Sequence, residues 1–203
     1  MKKYLKQRSK ALVTMSSVLA VMAGLGLLGY WLFGGGAPPT NPEVGTVKTG
    51  LVGAPEKPAT PKDTSMTLTV PKMERVEGVP VYTAPASDTG TLDRGTMHVE
   101  GTGFPWEQEA NVYIAGHRLG YKDTGSYLQF YDLPKLQKGD EILLTGADGQ
   151  TYTYEVFRKF RVDPSNYSVT QPVPGKNIVS LQTCTLPNYT QRLIVQGELK
   201  SVS

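Results

Sequence analysis

Residues 141–162 read EILLTGADGQTYTYEVFRKFRV and contain two strand-like runs separated by a short turn. The first run, EILLTG, covers 141–146, and the second, TYTYEVFRKFRV, covers 151–162. Between them stands the pair Asp148-Gly149, a strong signal for a tight β-hairpin. This stretch therefore predicts two strands joined by a short turn.

Similar short runs occur on both sides of this hairpin, separated by clusters of Gly, Pro and Asp. They are MTLTVPKM (66–73), VPVYTA (79–84), NVYIAGH (111–117), NIVSLQTC (177–184) and RLIVQGEL (192–199). LQFYDLPKL (128–136) has room for one short helical turn. About eight short strands with little helix predict a mainly β domain built as a closed or sandwiched antiparallel sheet.

The N-terminal region has a different composition. The formal net charge is +3, and five Lys and Arg residues in 1–10 contribute +5, so the rest of the chain carries −2. Residues 11–33, ALVTMSSVLAVMAGLGLLGYWLF, contain no charged side chain and are long enough to span a bilayer as a helix. The basic residues before them predict a cytoplasmic N-terminus and an extracytoplasmic C-terminal part. The alternative is a cleaved signal peptide, since GGGA (34–37) leaves cleavage open.

The chain divides into four segments on this basis. Residues 1–10 form a cytoplasmic basic segment, 11–33 a transmembrane anchor, 34–65 a flexible Pro/Gly/Thr-rich linker and 66–203 an extracytoplasmic domain. The absence of a net basic charge on residues 11–203 gives no reason to expect a nucleic-acid surface.

Cys184 is the only cysteine, so it cannot form a disulfide within the chain. It is then a buried apolar residue, half of an intermolecular bridge, or a reactive nucleophile. Two antiparallel strands joined by the intervening loop would return Arg192 to a place beside it. A guanidinium there can stabilise an oxyanion formed when the sulfur attacks a carbonyl.

A cysteine nucleophile needs a histidine partner, because the thiolate is the reactive species. His117 ends the run NVYIAGH, with Ala115 and Gly116 leaving space beside it. Its rival is His98 in GTMHVEG, where nothing nearby suggests a partner. Taken alone, His117 is more simply explained as a hydrogen-bonded structural histidine.

Three short motifs, AGHR (115–118), SLQTC (180–184) and RLIV (192–195), together resemble the sortases, membrane-anchored cysteine transpeptidases of bacterial surfaces. The family's T-L-x-T-C motif is matched here except at Ser180. The resemblance implies an eight-stranded β-barrel with short helices. It also implies His117, Cys184 and Arg192 as catalytic residues, with Thr183 helping to shape the acyl pocket.

Residues 92–121 resemble the class E sortases, although Thr96-Met97 departs from that class's G-P-G-H pattern. Tyr121 falls where class E has a tyrosine associated with a Leu-Ala-x-Thr-Gly sorting signal instead of Leu-Pro-x-Thr-Gly. The implied partners are secreted proteins bearing such a signal and an amine of a peptidoglycan precursor. No cofactor is expected, and the sequence leaves calcium dependence open because no carboxylate cluster stands out. The alternatives are a pilus-assembling or dedicated-substrate sortase, and a catalytically silent β-barrel that binds a surface partner.

Overall fold

The predicted hairpin is present: strands β5 (Glu141–Gly146) and β6 (Thr151–Val162) pair antiparallel. Gly149 in its turn has φ of 82°, a conformation that favours glycine. The computed structural model describes residues 60–203, which supply six further strands and one short α-helix. These elements are β1 (Met66–Thr69), β2 (Val79–Ala84), α1 (Thr89–Arg94), β3 (Thr96–Val99), β4 (Asn111–Ala115), β7 (Ile178–Cys184) and β8 (Arg192–Val202). Two 3₁₀ turns span Leu133–Lys135 and Tyr167–Thr170.

The strands close into a barrel in the order β1-β2-β3-β4-β7-β8-β6-β5. The predicted eight-stranded, mainly β barrel is thus confirmed. The expectation of an antiparallel sheet is wrong for two pairs, because β2–β3 and β4–β7 run parallel. Parallel neighbours need a crossover connection. The chain supplies one through α1, and a second through the long segment that includes the β5–β6 hairpin.

Several strand bounds differ from expectation, most of all that of β1, and one strand was not expected. The run 66–73 stops forming a strand at Thr69, because the backbone NH of Val70 bonds to the carbonyl of Val76 and closes a turn. Strand β3 is not among the segments identified from the sequence. It is only four residues long, and three of them are buried, including the polar residues Thr96 and His98.

The barrel interior is filled by one apolar cluster to which most strands contribute. Leu68, Ile114, Leu144, Tyr154 and Leu181 belong to it and are fully buried. Burying one such side chain stabilises the fold by about 1.5–3 kcal/mol. Tyr154 is the largest of these side chains, and its hydroxyl donates to Oδ1 of Asn177 at 3.0 Å, so its polar atom is satisfied.

No helix within residues 60–203 is long and apolar enough to cross a bilayer. The predicted basic segment 1–10, the anchor 11–33 and most of the predicted linker lie outside the described residues. The last linker residues are described, and the carbonyl of Ser65 accepts a hydrogen bond from the NH of Ala147 at 3.1 Å.

Candidate active site

A groove of about 360 Å³ lies at one end of the adjacent strands β4, β7 and β8. Four of the five residues singled out from the sequence line it, namely His117, Thr183, Cys184 and Arg192. The fifth, Tyr121, is not among the lining residues but stands beside His117. The structure therefore brings residues that are distant in the sequence to one cavity.

The parallel pairing of β4 with β7 fixes the positions of His117 and Cys184 relative to each other. Ala115 pairs with Gln182, and the NH of Gly116 donates to the carbonyl of Gln182 at 3.0 Å. Thr183 then donates its hydroxyl to the carbonyl of Gly116 at 2.7 Å. These bonds attach the backbone just before His117 to the backbone just before Cys184. Thr183 is 1% exposed, and this hydrogen bond satisfies its hydroxyl.

Cys184 and Arg192 are direct partners in the antiparallel pair β7–β8. Opposite residues in such a pair point to the same face of the sheet, with Cβ atoms about 4.5–5.5 Å apart. Cys184 is only partly buried, unlike a cysteine packed in a core. The Arg192 guanidinium donates to the carbonyls of Tyr189 at 3.3 Å and Gln191 at 3.5 Å, and no carboxylate of residues 60–203 lies in ion-pair distance of it. Its charge is therefore available to a ligand in the groove.

Asp93, which was not singled out from the sequence, contacts His117. Its Oδ1 lies 2.8 Å from Nε2 of His117, and both side chains are partly exposed. The Tyr121 ring stands edge-on to the imidazole, with ring centroids 5.6 Å apart. Asp93 belongs to α1, whose first turn is capped by Asp88 accepting from the NH of Thr91. The imidazole is thus held between a carboxylate and an aromatic edge.

Gly116 is needed for packing behind the site. A Cβ atom at this position would lie 2.7 Å from the ring of Phe130, which is fully buried. The space expected beside His117 is therefore filled by Phe130 on one side of the backbone. The NH of Phe130 in turn donates to the carbonyl of His117 at 3.1 Å.

Two parts of the groove lining differ in polarity. One side is the segment 162–170, which includes the 3₁₀ turn after β6. The opposite side is apolar, where Leu92 and Val99 pack on a small separate cluster of Ala84, Met97 and Ala115. Tyr113 forms part of the lining and donates its hydroxyl to Oε1 of Gln182 at 2.7 Å. Burial raises the pKa of Tyr113 well above its usual range, so this hydroxyl stays protonated.

His98 is fully buried in β3 and does not line the groove. Its Nδ1 lies 3.2 Å from the Thr83 hydroxyl, and its Nε2 lies 3.0 Å from both the Gly103 carbonyl and the Thr102 hydroxyl. These contacts satisfy both ring nitrogens, as expected of a structural histidine. Within residues 60–203, no group of three or more His, Cys, Asp or Glu side chains converges as a metal site would require.

A family model described as the Sortase domain matches residues 68–200, which is more than half of the chain. The chain belongs to the sortase family. A curated relative, "Sortase A" of Streptococcus agalactiae serotype III, is 33% identical over 90 residues, which make up 44% of this chain. The match spans only 36% of that relative's length.

Solved sortase structures share the fold. A sortase A from Corynebacterium diphtheriae, described as a lid mutant, gives a TM-score of 0.60 at 26% identity, covering 69% of this chain and 72% of that one. A pilus-related sortase C of Group B Streptococcus gives a TM-score of 0.59 at 29% identity, covering 71% of this chain and 70% of that one. The chain thus has the sortase domain and shares the β-barrel of these structures.

Proposed function

We propose that this sortase uses Cys184 as nucleophile, His117 as general acid and base, and Arg192 as donor to the oxyanion. The observation that carries the proposal is the placement of all three side chains on one groove, with Cys184 directly opposite Arg192 in the β7–β8 register. The substrate is a secreted protein with a C-terminal sorting signal, cleaved between its Thr and Gly.

In the first half-reaction, the sulfur of Cys184 forms a bond to the threonine carbonyl carbon, and the thiol proton resides on His117. The carbonyl oxygen becomes an oxyanion, which the forked NH groups of Arg192 stabilise. The carbon–nitrogen bond to glycine then breaks, and the departing amine takes the proton from His117. A thioester on Cys184 remains.

In the second half-reaction, an acceptor amine attacks the thioester carbon and loses a proton to His117. The carbon–sulfur bond breaks, the new amide forms, and Cys184 regains its proton. We infer that the acceptor is an amine of a peptidoglycan precursor, so that the product is a wall-attached protein. If water replaces the amine, the same intermediate is hydrolysed.

The apolar side of the groove supports a sorting signal that begins with leucine. Leu92, Met97 and Val99 provide a surface on which an aliphatic side chain can be buried. Tyr121 lies next to His117, where it can contact the residue after that leucine. We therefore propose a class E sortase that prefers Leu-Ala-x-Thr-Gly to Leu-Pro-x-Thr-Gly. Comparing kcat/KM for the two peptides in wild type and Tyr121→Ala tests this, and an unchanged ratio contradicts it.

The proposed location is the outer face of the cell membrane, with residues 11–33 as a single-pass anchor and residues 1–10 inside. The length and lack of charge of 11–33 support this location. Protease added to intact cells should digest the catalytic domain and spare a tag at the N-terminus. Digestion of the N-terminal tag would contradict this topology.

The decisive experiment uses the full-length chain with a Leu-Ala-x-Thr-Gly peptide and an amine. Wild type should release the glycine-containing fragment and join the rest to the amine, whereas Cys184→Ala should do neither. Cleavage by Cys184→Ala at the wild-type rate would refute the mechanism. Thiol labelling distinguishes the proposed enzyme from a catalytically silent binding module. A catalytic Cys184 reacts with an electrophile at a rate that changes in His117→Ala.

Pilus assembly is the second candidate, and the likeness to a pilus-related sortase C favours it. A pilus-assembling enzyme would join the threonine to a lysine side chain of a protein subunit. Competition between a lysine-containing peptide and a glycine-terminated acceptor distinguishes the two functions. A strong preference for the lysine amine would favour pilus assembly over wall attachment as the function.

A further inference from the structure

A second cavity of about 570 Å³, here called the basic groove, lies on the other side of the sheet end that carries the candidate active site. Its charged lining residues are Arg118, Lys159 and Arg161. Phe160, Leu186 and Thr185 contribute further surface. Its volume is within the usual range for a small-molecule site, about 300–1,000 Å³.

Four backbone segments each line both cavities with neighbouring residues. The pairs, with the active-site residue first, are His117 and Arg118, Val162 and Arg161, Cys184 and Thr185, and Arg192 and Leu193. Neighbouring residues of an extended chain point to opposite faces of a sheet. The basic groove therefore begins one residue away from each of the three proposed catalytic residues.

Two of the three cations of the basic groove, Lys159 and Arg118, have contacts that do not neutralise their charge. Lys159 donates from Nζ to the carbonyls of Pro134 and Leu136, both at 2.7 Å. The Arg118 guanidinium lies 5.3 Å from the centre of the Tyr131 ring, and its buried Nε has no hydrogen-bond partner. Within residues 60–203, none of the three cations forms an ion pair.

One carboxylate, Asp132, is close enough to influence Arg118. Burial lowers the pKa of Arg118, and attraction to Tyr131 and then to Asp132 partly offsets this effect. Asp132 is itself paired with Lys135 at 2.9 Å. Arg161 is exposed. An anion entering the basic groove would therefore find two guanidinium groups without a carboxylate bound to them.

We propose that the basic groove binds an anionic group of the acceptor, so that this enzyme selects amines carrying a carboxylate or a phosphate. The inference rests on the proposed transpeptidation. While the acyl group remains on Cys184, the sorting signal occupies the active-site groove, and the acceptor must approach from elsewhere. The basic groove opens at Thr185, beside Cys184. A guanidinium there can bind a carboxylate or phosphate by paired charge-assisted hydrogen bonds.

The test is an acceptor competition with the full-length chain in detergent micelles and one fixed sorting peptide. Glycylglycine is compared with glycylglycinamide, and glycyl-phosphoserine amide with glycyl-serine amide. Each pair has the same nucleophilic glycine, and only one member carries the extra anion. The first pair tests recognition of a carboxylate and the second tests recognition of a phosphate. The pair with the stronger preference therefore identifies the anionic group that the basic groove binds.

We expect the anionic acceptor of at least one pair to have a kcat/KM for aminolysis higher by roughly three- to tenfold, since the site is partly exposed. Arg161→Gln should abolish most of this preference while leaving peptide hydrolysis in the absence of amine unchanged. Arg75→Gln, which removes an exposed arginine outside both grooves, is the matched control and should keep the preference. Added salt should weaken the preference in wild type.

Equal rates for charged and neutral acceptors in wild type, or equal preferences in Arg161→Gln and Arg75→Gln, would overturn the proposal. Titration of full-length Cys184→Ala with glycyl-phosphoserine amide and glycylglycine, followed by NMR, tests the same site without turnover. Binding of either ligand that Arg161→Gln weakens supports an anion site even if the wild type cleaves no sorting peptide. Failure of cleavage would then refute the proposed function alone, and absence of Arg161-dependent binding would refute the anion site.

Discussion

Nε2 of His117 lies 2.8 Å from Oδ1 of Asp93, and this contact joins α1 to the end of β4. Together with the Tyr121 ring, this contact holds the imidazole in one orientation. Asp93 therefore acts as a positioning residue for the proposed acid.

We expect Asp93→Asn to lower kcat/KM for peptide cleavage by about three- to tenfold, a modest effect because the pair is partly exposed and screened by solvent. The loss should appear in kcat and leave KM close to that of wild type, because Asp93 contacts His117 and does not line the groove. Asp88→Asn is the control on the same helix, since asparagine also caps helices. A kcat equal to that of wild type in Asp93→Asn would remove Asp93 from the mechanism.

Arg192 faces Cys184 from the neighbouring strand, and its role depends on a forked pair of donors. Arg192→Gln should reduce kcat for peptide cleavage by about 10²–10³, the usual loss for one oxyanion donor. Arg192→Lys should restore little activity, because an ammonium group lacks the planar fork. Near-wild-type kcat in Arg192→Lys would mean that charge alone is required.

Gly116 lies against Phe130, and an added methyl group would approach the ring to 2.7 Å. Gly116→Ala should therefore destabilise the protein by about 1–3 kcal/mol through overpacking and shift the backbone before His117. Thermal unfolding and peptide cleavage measure the two effects. The double variant Gly116→Ala with Phe130→Leu should recover part of the activity. No recovery would mean that the ring is not what the methyl group displaces.

His98 supplies a prediction about pH and stability, independent of catalysis. Burial lowers the pKa of His98, and the hydrogen bond to the Gly103 carbonyl only partly opposes this. The unfolded chain therefore binds more protons than the folded chain once the pH falls below the ordinary value of about 6.5. The contribution of neutral His98 to the free energy of unfolding is fully present above that pH. It decreases below that pH, by up to about 1.4 kcal/mol per pH unit. Denaturant titrations from pH 8 to 5 should show the loss in wild type and a smaller one in His98→Gln.

Many strands of the barrel could be predicted from the sequence, because residue type, periodicity and turn residues within a short stretch identify a strand. The segments 79–84, 141–146 and 151–162 were predicted with the bounds that the structure gives them. The direction of pairing could not be predicted in the same way. Periodicity along a strand does not depend on whether its neighbour is parallel, so the β2–β3 and β4–β7 pairs were expected to be antiparallel.

The candidate site was accessible to sequence reasoning only in part. Cys184, His117 and Arg192 carry uncommon side chains within short motifs, and their order resembles one family. Asp93 has no such signal, because it lies on a six-residue helix and reaches His117 across 24 positions. The resemblance implied that Thr183 shapes the acyl pocket, but the bond from its hydroxyl to the Gly116 carbonyl depends on the pairing of β4 with β7 and could not be predicted from the sequence.

The bond between Thr183 and Gly116 joins positions that are 67 residues apart. The histidine side is synthesised long before the cysteine side, and Arg192 follows later still. A ribosome-bound or prematurely ended chain that lacks β8 contains Cys184 but not Arg192. Such incomplete molecules should therefore form little thioester with peptides that they encounter. Contacts of such long sequence separation form slowly because a large loop must close first. Turnover of a sorting peptide during refolding should consequently appear late, which makes it a sensitive reporter of complete assembly.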